Sequence, residues 1–254
     1  MKKILLLPAF FFVCFSFLQA QGFKNILKNA GAKDSTSKTG IDKLFDKVSN
    51  TKSGPLTNDE VINGLKEALA KGTENGTQKL SMADGFFKDA VIKILMPEEA
   101  KKVETKLRNL GLGKQVDNAI LSMNRAAEDA AKSASPIFLN AIKGMNFQDA
   151  LSILRGGDHA ATNYLEDKTT AALVASFRPV IDASLEKVNA TKYWNTVFTT
   201  YNRFSTDKVN TNLAEYVTEK ALAGIFYQVA QEEQKIRKDP LARTSDLLKK
   251  VFSN

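Results

Sequence analysis

The chain has 254 residues, of which 43% are hydrophobic, 25% charged and 9% aromatic, a composition that excludes disordered, collagen-like and wholly coiled-coil proteins. A single cysteine and a single histidine exclude a disulfide framework and a Cys/His zinc cluster, since both need several such side chains. The formal net charge is +8, and the excess of about six positive charges that remains without Lys2 and Lys3 favours anionic surfaces, such as lipid headgroups or polysaccharide, as partners.

Residues 1–20 have the pattern of a secretory signal peptide. Lys2 and Lys3 precede an apolar stretch at 4–18, and the small residue Ala20 stands before a cleavage point ahead of Gln21. We therefore predict that residues 1–20 are removed and that the protein is exported to the periplasm or the extracellular space.

Two alternatives to cleavage after Ala20 are disfavoured. About 15 apolar residues would rise only ~22 Å as a helix, which is short of a bilayer core of ~30 Å. A lipoprotein cut at Cys14 would need small residues before it, where the chain has Phe11, Phe12 and Val13. Since no later stretch reaches the apolar length of a membrane span, the mature chain is expected to contain neither a transmembrane span nor a cysteine.

Residues 21–54 are predicted to form a flexible polar leader, because they are rich in Lys, Ser, Thr, Asp, Asn and Gly. Within it, Ile41, Leu44, Phe45 and Val48 recur at helical spacing, which predicts a short amphipathic helix. This helix could dock on the body of the protein or on another molecule.

Residues 55–254 are predicted to be a single helical domain. Thr57 and Glu60 form a capping box before a helix that is expected to end near Lys71. The polar stretch at 72–77 is interpreted as a helix-to-helix turn or, alternatively, as a loop that wraps an ion.

The middle of the chain predicts several shorter helices. One begins at Pro97 and stops at Gly111, and the next presents an apolar face between residues 116 and 130. Another runs from residue 135 to Gly144, and Asn146 is expected to cap a short helix that ends at 156–157.

The last part predicts longer elements. Asp158 is expected to cap an element that reaches about Val188 and is kinked or divided at Pro179. Residues 213–237 form the longest periodic segment, and because 221–227 are apolar on all sides this helix is expected to be central and buried. Pro240 precedes a final helix. Since no stretch alternates like a strand, the predicted fold class is all-α, a compact multi-helix bundle.

Sequence signals of catalysis are missing: the chain has no Gly-x-Ser-x-Gly elbow and no phosphate-binding loop. His159 begins a helix and could act as a neutral base or as one metal ligand, although a surface position is the ordinary interpretation. We predict no cofactor and no metal site, and an enzymatic role is disfavoured.

Asn124 and Glu128 lie one helical turn apart beside an apolar stripe, where Ala126 and Ala127 let another helix come close. Such half-buried groups usually satisfy backbone groups or an arginine, so a structural network is favoured over a ligand site. Arg125 falls on the opposite side and is expected to be solvated. The candidate binding residues are Asn124, Glu128, Asp158, Glu74 and Asn75.

Two further patterns bear on partners. Near the carboxyl terminus, Glu232 and Glu233 interrupt the basic residues, which predicts a mixed surface and argues against nucleic acid. The aromatic residues between Tyr193 and Phe204 could form a carbohydrate or peptide platform, with core packing as the ordinary explanation.

Several blocks of the chain occur together in one known family: LTNDEVINGLKEAL at 56–69, GTEN at 72–75, LGLG at 110–113, SMNRAAE at 122–128, GGD at 156–158, TKYW at 191–194, YVT at 216–218 and RKDPLARTSDLLKKVF at 237–252. The chain resembles an uncharacterised bacterial family, number 4197 of the domain-of-unknown-function series, over nearly all of 57–252. The resemblance implies an exported helical protein and supplies no reaction, ligand or catalytic residue.

The favoured function is a non-enzymatic binding or cell-envelope-associated protein with a cleft bordered by Asn124, Glu128 and Asp158. The alternative is a hydrolase or lyase that works with carboxylates, for which Glu74, Glu128 and Asp158 are candidates. A further alternative is a structural protein that self-associates through the leader helix.

Overall fold

The structure is a computed structural model that describes residues 57–206, 208–239, 243 and 245–251. The predicted signal peptide and the amphipathic segment of the leader lie outside the described residues. Within them the chain forms a short 3-10 helix at Glu98–Ala100 and α-helices, with no strand. In chain order these are α1 (Asn58–Ser81), α2 (Lys101–Asn109), α3 (Gly113–Ala131), α4 (Ala134–Gly144), α5 (Phe147–Arg155), α6 (Ala160–Lys187), α7 (Ala190–Phe204), α8 (Leu213–Lys238) and α9 (Asp246–Val251).

Three long helices form the centre of the bundle. Helix α6 packs against both α3 and α8, and α1 covers α8 and α4. The buried core holds large side chains from these helices, among them Leu65, Met123, Phe177, Leu185 and Ile225. The predicted all-α bundle is therefore confirmed, and α8 is the long helix near the carboxyl terminus that supplies much of its buried surface.

Local signals of helix ends act as predicted at two positions. The Thr57 hydroxyl accepts the Glu60 amide at 3.2 Å while a Glu60 carboxylate oxygen accepts the Thr57 amide at 2.9 Å. Asn146 and Asp149 make the same reciprocal pair at the start of α5. Both pairs satisfy amides that the first turn of a helix leaves without a partner.

The turn predicted at 72–77 is wrong, because α1 continues through it to Ser81. Gly72 and Gly76 face α8, where a Cβ at Gly76 would lie 3.3 Å from Cγ of Gln228. The Thr73 and Thr77 hydroxyls donate to carbonyls four residues earlier in the helix, both at 2.8 Å. Close packing of two helices thus outweighs the cost of about 1 kcal/mol that each glycine imposes on a helix.

The predicted element after residue 158 is the single helix α6, which continues across Pro179, so the alternative of a division there is wrong. The predicted cap at Asp158 is also wrong. His159 occupies the capping position without a side-chain cap, and the amides of the first turn instead bind a carboxylate from α8, described below.

No helix in the described part of the chain is both long enough and apolar enough to cross a bilayer.

Candidate functional site

Asn124 is buried on α3 and holds an irregular segment of the chain, residues 82–97. Its side-chain amide donates to the Ile94 carbonyl at 2.8 Å and to the Ile120 carbonyl at 2.7 Å. Its side-chain oxygen accepts the Ile94 amide at 2.9 Å. The side chain therefore pairs with both backbone groups of Ile94, in the manner of a neighbouring strand.

Glu128 lies one turn further along α3 and is also buried. One carboxylate oxygen accepts the amides of Phe86 and Phe87 at 3.1 and 3.2 Å. The other accepts a guanidinium N–H of Arg125 at 2.6 Å. Glu128 thus makes the same kind of contact as Asn124, because both side chains fasten residues 82–97 to the core.

The prediction that Arg125 is solvated on the opposite side of α3 is wrong. Arg125 bridges two carboxylates. Its second guanidinium nitrogen donates to Asp84 at 2.6 Å, and Lys88 lies 2.7 Å from the same Asp84 carboxyl group. Hydrogen bonds from Lys88 and then from Arg125 hold the pKa of Asp84 below its ordinary value. The hydrogen bonds that Arg125 donates to Glu128 and then to Asp84 raise the pKa of Arg125. This network, Asp84, Arg125, Glu128 and Asn124, is called the α3 clamp below.

The other three candidate residues lie elsewhere. Asp158 is exposed and pairs with Lys238 at 3.2 Å. Lys238 lies fourteen residues beyond Gly224 on α8, which is about 21 Å of helix. Because Phe86, which Glu128 holds, packs against Gly224, Asp158 lies far from the α3 clamp. Glu74 and Asn75 are exposed on α1, where Glu74 pairs with Lys71 at 3.5 Å. The structure therefore brings together only Asn124 and Glu128 of the five.

A second buried carboxylate, Glu233, contradicts the prediction of a mixed surface in its part of α8. Its two oxygens accept the amides of Ala161 and Thr162 at 3.0 and 2.8 Å, and the Thr162 hydroxyl at 2.7 Å. Arg237 donates to Glu233 at 2.8 Å and to the Ile153 carbonyl at 2.8 Å. We call Glu233 and Arg237 the α8 cap, because Glu233 accepts backbone amides at the start of α6 and Arg237 donates to a backbone carbonyl near the end of α5.

The neighbouring Glu232 is buried as well, where α8 meets α1. It accepts hydrogen bonds from Gln228 and Lys235, and Lys79 of α1 donates to Gln228 at 2.9 Å. The spacing of Glu233 and Arg237, one helical turn apart, is the only local signal that could have revealed the α8 cap.

His159 is exposed, with its ring 3.3 Å from the side-chain amide of Gln234. Among the described residues, no group of three or more His, Cys, Asp and Glu side chains could hold a metal ion. The contact of His159 with Gln234 therefore belongs to the surface where α6 meets α8.

One cavity of about 690 Å³ lies between residues 91–99 and the first half of α8. Its wall is mixed, with the cations Lys93, Lys208 and Lys220 interspersed with Glu98, Glu99 and Glu219. The Tyr216 hydroxyl donates to the Leu95 carbonyl at 2.8 Å. Burial, and after it the carboxylates of Glu99 and Glu98, raises the pKa of Tyr216 to about 12, so this phenol stays a neutral donor.

A second cavity of about 730 Å³ has a different wall and is called the apolar groove. It lies between α2, α3 and α7, and most of its lining side chains are aliphatic or aromatic. Buried residues form its floor: Met96, Ala100, Val103, Val116, Met123, Trp194, Phe198 and Leu213. Exposed residues form its mouth: Leu112, Gln115, Asn118, Val188 and Tyr193.

Aromatic contacts build one wall of the groove. The rings of Trp194 and Phe198 lie 4.4 Å apart, and Trp194 stacks on Tyr216 at 6.5 Å. The indole N–H of Trp194 donates to the Asn210 carbonyl at 3.0 Å, which leaves the faces of the ring for apolar contact. The aromatic residues seen in the sequence thus divide, because Trp194 and Phe198 pack inside while Tyr193 and Phe204 are exposed.

None of the five predicted binding residues lines the apolar groove or the mixed cavity. The groove was not recognised from the sequence, since its walls come from helices that are far apart along the chain. An arrangement with a buried apolar floor, an open mouth and few polar groups is typical of sites for small apolar ligands.

Comparison with known proteins agrees with the resemblance seen in the sequence. No curated protein and no solved structure matches the chain. Residues 55–253 match the family described as "Protein of unknown function (DUF4197)", and the chain therefore belongs to this family.

Proposed function

We propose that this protein is an exported, non-enzymatic binding protein of the cell envelope, and that its apolar groove holds the hydrocarbon chain of a small amphipathic molecule. The observation that carries the proposal is the gradient in the groove wall, from a buried apolar floor to an exposed mouth. A hydrocarbon chain would cover the floor and leave its polar end at the mouth.

The size of the groove suits such a ligand. A cavity of about 730 Å³ lies within the range of roughly 300 to 1,000 Å³ that small-molecule sites occupy. Each methylene that leaves water for the groove contributes about 0.8 kcal/mol, or about fourfold in affinity. Binding by this mechanism therefore strengthens steadily with chain length until the groove is full.

The surroundings of the acidic residues favour binding over catalysis. Glu128 is occupied by two backbone amides and Arg125, and Asp158 and Glu74 pair with lysines on the surface. A carboxylate pair that performs acid–base chemistry needs to face one pocket. These three lie outside both cavities described above.

Export is supported by the charged start, the apolar stretch and Ala20 at the amino terminus. The mass of the protein recovered from the periplasm or the medium tests this part. We expect a mature chain that begins at Gln21, and a cytosolic chain that retains residues 1–20 would contradict export.

Ligand binding can be measured without a label, because Trp194 is the single tryptophan of the chain and lies in the groove wall. We would titrate octanoate, decanoate and dodecanoate below their micelle concentrations while following tryptophan fluorescence. Bromine-labelled chains should quench it, and affinity should rise about fourfold per methylene. Saturable binding with no dependence on chain length would contradict the proposal, as would no binding at all.

A matched pair of variants locates the site. Ala119 lines the groove, so Ala119→Phe should fill part of it and weaken dodecanoate binding at least tenfold. Ala172 is exposed on α6 away from the groove, so Ala172→Phe makes the same change on the surface and should bind like the wild type. Equal binding by both variants would show that the ligand sits elsewhere.

A further inference from the structure

Apolar side chains project from the protein at the mouth of the groove. Leu110 and Leu112 lie in the turn between α2 and α3 and are 75% and 38% exposed. Val188 lies in the turn between α6 and α7 and is 53% exposed, and Tyr193 lies in the first turn of α7 and is 66% exposed. Leu112, Val188 and Tyr193 line the groove, and these four residues are called the rim.

The backbone holds both turns of the rim in defined conformations. Gly111 adopts φ +80°, the Gly111 amide donates to the Arg108 carbonyl at 3.0 Å, and the Leu112 amide donates to the Leu107 carbonyl at 2.9 Å. This is the Schellman arrangement of a helix end. At the other turn Asn189 adopts φ +54°, and its amide donates to the Glu186 carbonyl at 2.9 Å.

Basic residues surround the rim. Lys106, Arg108, Lys114, Lys187 and Lys192 are exposed and lie within four residues of a rim side chain along the chain. The acidic residues nearby are fewer, and Glu104 and Asp117 both pair with Arg108, at 2.9 and 2.8 Å. Since Glu186 is the remaining carboxylate of these two turns, lysines dominate the charge around the rim.

Apolar side chains that project among lysines match the chemistry of a bilayer surface rich in anionic lipid. The apolar groups enter the boundary between headgroups and acyl chains, while the lysines meet the negative headgroups. A polysaccharide would satisfy the cations but would leave Leu110 and Val188 in water. A single exposed leucine is ordinary, whereas several at the mouth of an apolar groove indicate a contact surface.

We propose that the rim seats this protein on an anionic membrane, with the mouth of the groove facing the lipid. This inference rests on the proposed function, because it assumes that the groove binds a hydrocarbon chain. It adds that the bilayer is the source of that chain, since a lipid could pass from the bilayer into the groove without crossing water. The groove and its membrane contact would then form one continuous apolar path.

The test is sedimentation of the purified protein with vesicles of phosphatidylcholine, with and without phosphatidylglycerol. We expect binding to the anionic vesicles alone and a loss of binding at high salt, because salt screens exposed charges. All variants carry the same amino-terminal segment as the wild type, so any contribution from that segment cancels.

Two variants alter the rim or the lysines around it without changing a residue that lines the groove. Leu110→Ser should weaken vesicle binding about tenfold. Lys114→Gln with Lys192→Gln should weaken it about 30-fold, since each lysine near an anionic surface contributes about fivefold. The matched controls are Phe204→Ser, at an exposed aromatic residue outside the groove lining, and Lys71→Gln with Lys168→Gln; both should bind like the wild type.

The titration with soluble fatty acids, followed by tryptophan fluorescence, separates this inference from the proposed function. Leu110→Ser and the lysine pair should bind octanoate as the wild type does, because none of these residues lines the groove. If all variants sediment equally with anionic vesicles, the membrane inference is wrong while the groove stands. If the wild type binds no soluble chain, the proposed function is wrong whatever the vesicles show.

A second copy of the chain is the other occupant that the rim could take. Light scattering would then show a dimer that Leu110→Ser dissociates, and no vesicle binding would be seen. That result would overturn the membrane inference.

Discussion

The α3 clamp and the α8 cap contain the same set of hydrogen bonds but hold different kinds of backbone. In each, a buried glutamate accepts two backbone amides and an arginine of its own helix. The clamp holds an irregular segment, residues 82–97, whereas the cap closes the start of a regular helix. A buried glutamate on a helix can therefore act as a hydrogen-bond partner for distant backbone, and its burial alone is no sign of catalysis.

The two arginines differ in exposure and in partners, so we expect the two regions to contribute differently to stability. The Arg237 side chain is 15% exposed and also donates to the Ile153 carbonyl, while that of Arg125 is 40% exposed and has a second carboxylate in Asp84. Among the described residues, loss of the glutamate leaves the nearly buried Arg237 guanidinium with the Ile153 carbonyl as its partner, whereas Arg125 keeps Asp84 and water. The clamp compensates by using a second buried side chain, Asn124, on the same segment.

Glu233→Ala is expected to have the largest effect. Two amides of α6, the Thr162 hydroxyl and a nearly buried guanidinium lose their acceptor, which should lower the free energy of unfolding by about 3 to 5 kcal/mol. Urea denaturation followed by circular dichroism measures it. Glu219→Ala, at an exposed position of the same helix, is the matched control and should change stability by less than about 0.5 kcal/mol.

Glu128→Ala should cost less, about 1.5 to 3 kcal/mol, because Arg125 retains Asp84 while the amides of Phe86 and Phe87 lose a charged acceptor. The same urea experiment compares it directly with Glu233→Ala. A cost equal to that of Glu233→Ala would show that the exposure of the arginine does not decide the difference between the two regions.

Local sequence signals were sufficient wherever a feature depends on neighbouring residues. The capping box at Thr57, the cap at Asn146 and the helix end at Gly111 were predicted, because their partners lie within a few residues. The burial of Asn124 and Glu128 followed from their spacing beside an apolar stripe. Their partners did not follow, because residues 82–97 have no periodic pattern that would place Ile94 or Phe86 against α3.

Features that depend on distant partners escaped the sequence. The glycines of α1 suggested a turn, although their function is to let α8 approach. Asp158 suggested a cap, although the acceptor comes from Glu233, more than seventy residues away. The apolar groove depends on the placement of α2, α3 and α7 together, and no segment carries that information by itself.

Gly224→Ala tests how tightly the clamped segment is packed. A Cβ at Gly224 would lie 2.5 Å from an edge carbon of the Phe86 ring, and Phe86 is fully buried. Phe86 would have to shift while its amide is held by Glu128, so we expect a loss of about 1 to 3 kcal/mol.

Gly144→Ala is the matched control, because in the described part of the chain no atom beyond its own helix backbone and chain neighbours lies within 4 Å of the added carbon. It should leave stability unchanged or raise it slightly, by at most about 1 kcal/mol. If Gly224→Ala leaves the free energy of unfolding unchanged, residues 82–97 can move despite the α3 clamp. The α3 clamp and the α8 cap would then differ in how rigidly they hold the backbone, rather than in how much they stabilise the fold.

Asp84 should produce the smallest effect and a pH dependence that distinguishes the clamp from the cap. Its pKa is lowered from 3.8 by Lys88 and then Arg125. Because the folded pKa lies below the unfolded one, its stabilisation is complete at pH values above about 4 and is lost as pH falls through the folded pKa. Asp84→Asn removes the charge and suits the left-handed backbone at this position, where φ is +71°.

Urea denaturation of the wild type and Asp84→Asn over a series of pH values measures this contribution. The wild type should be slightly more stable at neutral pH, and the difference should shrink below pH about 4. Asp158→Asn, at the exposed pair with Lys238, controls for the general loss of a surface carboxylate. A difference at Asp84 that is the same at neutral and acidic pH would assign its contribution to the backbone of the turn, and the clamp would then depend on Glu128 and Asn124 alone.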